Sequence, residues 1–111
     1  MNTIFGQIID GKIPCNKVFE NERIIAFHDI APVAPVHLLI VPKKPIKNLA
    51  DASEDDAAVL GECLLVAKKL AHDFGLVDGF RVIANSGRES GQVVFHLHFH
   101  LLGGRPLGPL G

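Results

Sequence analysis

Three histidines within five residues, His96, His98 and His100, alternate with Leu97, Phe99 and Leu101. A β-strand sends successive side chains to opposite faces at about 3.3 Å per residue, so this spacing predicts three imidazoles on one face and three apolar side chains on the other. Two chemistries want such a face. Neutral imidazole is the commonest nitrogen ligand for a metal, and His-x-His on a strand offers two converging ligands. Carboxylates to complete such a site are missing: Val93 to Leu102 contains no Asp or Glu, and the nearest upstream acid is Glu89. In the second chemistry one imidazole is a nucleophile, its neighbours polarise the electrophile, and another group holds its tautomer. The segment ahead of the triad suits this second reading. Asn85, Ser86, Gly87, Ser90, Gly91 and Gln92 make a polar, glycine-containing loop whose backbone N–H groups could cradle a phosphate. Phosphoryl or nucleotidyl transfer uses both features. The plainer account is a half-exposed strand that happens to carry histidine.

The elements that must position these residues follow from periodicity and punctuation. Thr3 can cap a helix of about two turns whose apolar positions Ile4, Phe5, Ile8 and Ile9 share a face, with Gly11 ending it. Val18 to Glu20 and Ile24 to His28 flank the polar Asn21 to Arg23 and read as a hairpin. Val36 to Val41 is a further β-favouring run closed by Pro42. One long helix starts near Ser53, where Ser53 and Asp56 resemble a capping box and Glu54, Asp55 and Asp56 suit the positive end of the helix dipole. Val59, Leu60, Cys63, Val66, Ala67, Leu70 and Phe74 line one face of it, Lys68, Lys69 and His72 lie near its carboxyl end, and Gly75 stops it. Phe80 to Asn85 and Val93 to Leu102 are the last two strands. With a single long helix between strands, the expected architecture is α+β, a mostly antiparallel five-stranded sheet with one long and one short N-terminal helix. Leu97, Phe99 and Leu101 should lie beneath the long helix.

Composition narrows the function classes. A chain of 111 residues that is 48% hydrophobic and 21% charged can bury one core and has no room for a second, so residues 1–111 read as a single domain with 103–111 as a C-terminal tail. Eleven basic against twelve acidic residues leave a net charge of -1, which points away from long nucleic acid and anionic membranes. Any bound phosphate is bound locally. The chain shows no leader-like segment and no run of 18 apolar residues, and its two cysteines, Cys15 and Cys63, have no Cys-x-x-Cys spacing. A cytoplasmic protein with reduced thiols is expected.

His96-Leu97-His98-Phe99-His100-Leu101-Leu102 resembles the His-φ-His-φ-His-φ-φ signature of the histidine-triad (HIT) superfamily. Phe27-His28-Asp29-Ile30-Ala31-Pro32, Ala34-Pro35-Val36-His37 and Ile40-Val41-Pro42-Lys43-Lys44 are similar to the family's upstream block in the same order. Ile8 to Pro14, Asn85, Gly91-Gln92 and Gly103-Gly104-Arg105 also fit, so the likeness spans nearly the whole chain. Leu-Gly-Gly-Arg after the triad and the short length resemble the Hint branch of nucleotide-binding phosphoramidases more than the dinucleoside polyphosphate hydrolases. The resemblance implies a HIT-like fold whose sheet extends across a homodimer. It further implies hydrolysis of purine nucleoside 5'-phosphoramidates, adenosine or guanosine, through a covalent nucleotidyl-histidine. By position, His98 would be the nucleophile, His100 would contact the phosphate oxygens, and His96 and His37 would support orientation and charge. Asn85 and the backbone of Gly91, Gln92 and Val93 would hold the phosphate, Asp29 would accept ribose hydroxyls, and Ile30 would pack near the base. Taken alone, Asp29 could start a turn before proline, His37 could be a satisfied buried histidine, and Asn85 could cap a turn. No catalytic role falls to His28 or His72, the latter complementing a helix end.

Two departures from the resemblance stand out. Many Hint relatives carry a hydroxyl residue after Gly-Gln that can assist the departing amine, and here that place is Val93. Some bacterial relatives bind structural zinc through two N-terminal cysteines, and Thr3 and Gly6 stand at those places, so neither zinc nor any other cofactor is expected. The tail from Gly103 to Gly111 lacks the aromatic residues that would mark a specific role. The alternatives are a nucleotide-binding regulatory module with little turnover, a dinucleoside polyphosphate hydrolase, and a His-ligated metalloprotein.

Overall fold

Strands β1 (Lys17–Glu20) and β2 (Ile24–His28) form the predicted hairpin, and a side chain closes its turn. Asn21 Oδ1 accepts from the N–H groups of Arg23 and Ile24, each at 2.8 Å, the local mimicry that makes Asn a turn residue. The computed structural model describes residues 3–111, with β3 at Val36–Pro42, β4 at Phe80–Ile83 and β5 at Phe99–Gly103. The order across the sheet is β1-β2-β3-β5-β4 and each pair is antiparallel. This is the expected α+β architecture.

The sheet is covered on both faces, and for that reason β2 and β3 are apolar almost throughout. Ile24, Ala26, Leu38, Ile40, Phe99 and Leu101 point to one side and pack on Cys63, Val66, Ala67, Leu70 and Ala71 of the long helix α2 (Ala57–Asp73). Ile25, Phe27, Leu39 and Val41 point the other way, toward Phe5 of the short helix α1 (Ile4–Ile9). Thr3 Oγ1 caps α1 by accepting from the Gly6 N–H at 3.0 Å. Before α2, Glu54–Asp56 make a 3-10 turn in which the Ser53 N–H donates to Asp56 Oδ2 at 2.9 Å. Lys44 bonds the other oxygen of Asp56, so the end of β3 is tied to the start of α2. The hairpin is clamped to the same helix by Glu62, which accepts from Arg23 Nε at 2.7 Å, Arg23 Nη2 at 2.9 Å and Asn21 Nδ2 at 3.0 Å.

Two strand expectations need correction. The run predicted as a strand from Val93 to Leu102 is a strand only from Phe99, and its register explains why. Ile40 pairs with Phe99, so continuing the ladder would set Leu97 opposite Pro42, which has no N–H to give. The Leu97 N–H instead donates to the Ile46 carbonyl at 2.7 Å, and the chain carrying His96 and His98 leaves the sheet. Likewise β4 stops at Ile83 rather than Asn85, because its partner β5 begins at Phe99. Among the described residues, no helix is long and apolar enough to cross a membrane.

Candidate active site

On the α1 face of the sheet lies a cavity of about 370 Å³, in the range of small-molecule sites. Its walls bring together Asp29, Ile30, Asn85, Gly91, Gln92, Val93, His98 and His100, eight of the positions singled out in the sequence. His37 and His96 do not line it. Each acts behind it, in a different way.

His98 owes its state to its own segment. Its Nδ1 lies 2.7 Å from the His96 carbonyl, an acceptor only, so Nδ1 carries the proton and Nε2 keeps its lone pair. The Phe5 ring meets the imidazole edge-on, with centroids 4.9 Å apart, and holds it from the α1 side. His96 turns away from the cavity and donates from Nε2 to the Pro42 carbonyl at 2.7 Å. Its ring therefore locks the backbone whose carbonyl sets the His98 tautomer.

His37 and His100 meet because of register. His37 pairs with Leu102 and Leu39 with His100, so the two histidines are diagonal neighbours on one sheet face. His37 Nδ1 accepts from the Val33 N–H at 3.1 Å, which leaves the His37 proton on Nε2. That Nε2–H faces His100 Nδ1 at 2.9 Å and Asp29 Oδ2 at 3.3 Å. With Nδ1 accepting, His100 bears its own proton on Nε2. Of the triad rings lining the cavity, His98 thus offers a bare imidazole nitrogen and His100 an imidazole donor, and His28 lines it as well.

Burial keeps these rings neutral. It lowers the affinity of His37, His96 and His98 for a second proton below the ordinary histidine value. His100 is pushed down to about 4, by burial first and by its neighbours His98 and His37 next. The same geometry bears on metal binding. Ligand atoms of Asp29, His37 and His100 all lie within 4.8 Å of one another, a three-ligand arrangement. A metal at that point would need a lone pair on His37 Nε2, and the Val33 N–H keeps the proton there, so the donor set does not fit a metal.

The loop before the triad is more committed than its sequence implies. The Gly91 N–H donates to Arg88 O at 3.0 Å and the Gln92 N–H to Gly87 O at 3.3 Å, whereas the Val93 N–H has no partner among the described residues. The Gln92 amide is buried and bonded to Gly87, Lys47 and Val94, which makes it the core of the loop. Ser86 and Ser90 are engaged as well, with Ala50 and Gly87. Gly91 has φ +99, a conformation that L side chains rarely adopt. The cradle of three amides thus reduces to one, on Val93.

Sequence reasoning missed the opposite wall. Ile4, Phe5, Ile8, Ile13, Pro14 and Cys15 close the cavity, and although Ile8 to Pro14 share in the family resemblance, no local pattern sets this segment against a triad more than 80 positions away. Cys15 is partly exposed there, whereas burial pushes the Cys63 thiol up to about 12.

A HIT domain family model matches residues 10–107. This chain belongs to the HIT family. Over 108 residues the HIT domain described here is 56% identical to a HIT-like protein of Chlamydia pneumoniae, spanning 97% of this chain and 98% of that one. Its fold is similar to the crystal structure of a HIT family hydrolase from Legionella pneumophila, with TM-score 0.94, 47% identity and 96% of each chain covered. A histidine triad protein from Clostridium difficile superposes with the same TM-score at 42% identity, covering 100% of this HIT domain and 97% of that chain.

Proposed function

We propose that the chain hydrolyses purine nucleoside 5'-phosphoramidates through a covalent nucleotidyl-His98 intermediate. The observation that carries this reading is the His98 Nδ1–H held by the His96 carbonyl, because it presents a bare, neutral Nε2 to the cavity. In the first step the Nε2 lone pair attacks phosphorus, a P–N bond to His98 forms, and the substrate P–N bond breaks as the departing amine takes a proton from solvent. The imidazole gains positive charge as it is nucleotidylated, and the hydrogen bond to His96 O strengthens as it does. In this reading the His100 Nε2–H and the Val93 N–H, both on residues that line the cavity, take the phosphoryl oxygens. Water then attacks phosphorus and gives up a proton to solvent, the P–N bond to His98 breaks, and the nucleoside monophosphate leaves with His98 neutral again. Asp29 accepts from the Ala31 N–H at 2.8 Å through Oδ1 and keeps lone pairs for ribose hydroxyls. Ile4, Phe5, Ile8, Phe27 and Leu39 supply an apolar slot suited to a purine, with the fully exposed Ile30 at its rim.

Hydrolysis of a fluorogenic adenosine 5'-phosphoramidate in buffer containing a chelator tests the reading. Chelator-resistant turnover supports it. AMP binding without turnover would favour a nucleotide-binding module, and Val93 is the observation on that side, since its 86% exposed side chain has no proton for the departing amine. Val93→Ser is accordingly expected to raise the rate with an alkylamine leaving group by roughly tenfold and to leave a good leaving group unaffected. Equal rates for both proteins on both substrates would count against this role.

A homodimer is part of the same proposal. Among the described residues the outer edge of β4 is unpaired, and Leu64, Leu65 and Phe80 are 51%, 66% and 44% exposed on α2 and β4. An open edge with exposed large apolar side chains suits a second copy. Light scattering at micromolar concentration is expected to give twice 12.0 kDa, and a 12.0 kDa particle would refute it.

A further inference from the structure

The C-terminal segment reaches the active-site hydrogen bonds from behind. Arg105 Nη2 donates to the Val33 carbonyl at 2.9 Å, and the N–H of that same Val33 donates to His37 Nδ1 at 3.1 Å. Packing does not hold the loop between β2 and β3. No residue from 30 to 35 is buried, and Val33 is 62% exposed. The start of the loop is tied by the Asp29 N–H to His37 O at 3.0 Å and by the Ala31 N–H to Asp29. Its second half is held from the C-terminal segment. Gly104, at φ +98, approaches Pro35 so closely that an added Cβ would stand 2.8 Å from Pro35 Cβ. This approach brings Arg105 over Val33.

We propose that Arg105 is a positioning residue for the triad. By holding the Val33 carbonyl it aims the Val33 N–H at His37 Nδ1, keeps His37 in its Nε2–H form, and so keeps His100 donating from Nε2. Losing that aim has a definite chemical consequence. If His37 takes the Nδ1–H form, its bare Nε2 faces the Asp29 carboxylate, and His100 must protonate Nδ1 to satisfy it. His100 Nε2 then presents a lone pair where the phosphoryl oxygens carry negative charge. One tautomer change thus turns a donor into an acceptor at the far end of the chain of bonds. The effect on turnover rests on the proposed phosphoramidase reading, while the effect on the His37 tautomer does not.

Imidazole nitrogen NMR of the full-length protein separates the two. In the wild type, His37 should show one bare and one protonated nitrogen. Arg105→Ala and Gly104→Ala should draw these two resonances together as tautomers mix, and Arg105→Lys, which can still donate to the Val33 carbonyl, should largely restore them. His96, bonded to Pro42 O, should stay unchanged and serves as the control for an intact fold. On adenosine 5'-phosphoramidate, Arg105→Ala should lower kcat about fivefold with KM nearly unchanged, the mark of an interaction that matters in the transition state. Unchanged His37 resonances in both alanine variants would overturn the proposal, as would a change in which His96 moves equally. Mixed His37 tautomers in a protein whose wild type shows no turnover would uphold the clamp and remove the reaction.

Discussion

His98→Ala is expected to lower phosphoramidate turnover by roughly a thousandfold or more, the scale seen when a covalent nucleophile is deleted. AMP affinity should change only a few-fold, because the apolar slot, Asp29 and the Val93 N–H remain. The substitution removes a ring that packs on Phe5, so circular dichroism and a thermal melt must accompany the kinetics. A chelator should change neither protein. Substantial residual turnover in a folded His98→Ala protein would move the nucleophile elsewhere, with His100 the only other triad ring lining the cavity. Wild-type activity abolished by chelation would revive a metal and contradict the tautomer that Val33 imposes on His37.

The second large effect is an acid-sensitive fold, lost in two separate pH windows. His37, His96, His98 and His100 all bind protons less readily in the folded chain than the ordinary histidine value of 6.5. Below 6.5 the unfolded chain therefore takes up more protons than the folded one, and stability falls as pH falls toward the folded values. For His100, displaced to about 4, this is about 3 kcal/mol between pH 7 and 4. The ion-paired carboxylates act lower. Glu20 is held at about 2 by Lys17 and Lys43, and Asp56, Glu62 and Asp73 are also lowered by their basic partners. Their contribution is complete above the ordinary carboxylate range, 3.8 to 4.5, and is lost as pH falls from there toward the lower folded values. Between pH 6.5 and 4.5 the buried histidines alone among these groups set the slope. Denaturant unfolding at fixed protein concentration should show wild-type stability dropping across that interval, with His100→Gln dropping visibly less. Parallel slopes for the two proteins would sink the assignment. The same burial keeps His98 unprotonated, so turnover should persist below pH 6.5.

Much of this protein follows from local pattern. Thr3, the alternation in β2 and β3, Asn21 in the hairpin turn, and the Ser53–Asp56 pair before α2 act within a few residues, where spacing and hydrogen-bonding type are enough. One long helix between strands then leaves an antiparallel α+β sheet, and the triad with its upstream block carries the family. The extent of the triad strand did not follow. Val93 to Leu102 alternates like a strand, but only the β3 register shows Pro42 arriving where an N–H donor is needed, which frees His96 and His98 from the ladder. The wall formed by α1, the diagonal meeting of His37 with His100, and the Arg105 to Val33 contact across 72 positions likewise belong to the tertiary structure. Side-chain type says that an imidazole can be donor, acceptor or nucleophile. Which of these each histidine is depends on the carbonyl of His96, the carbonyl of Pro42 and the N–H of Val33, backbone groups that only the folded chain places beside the rings.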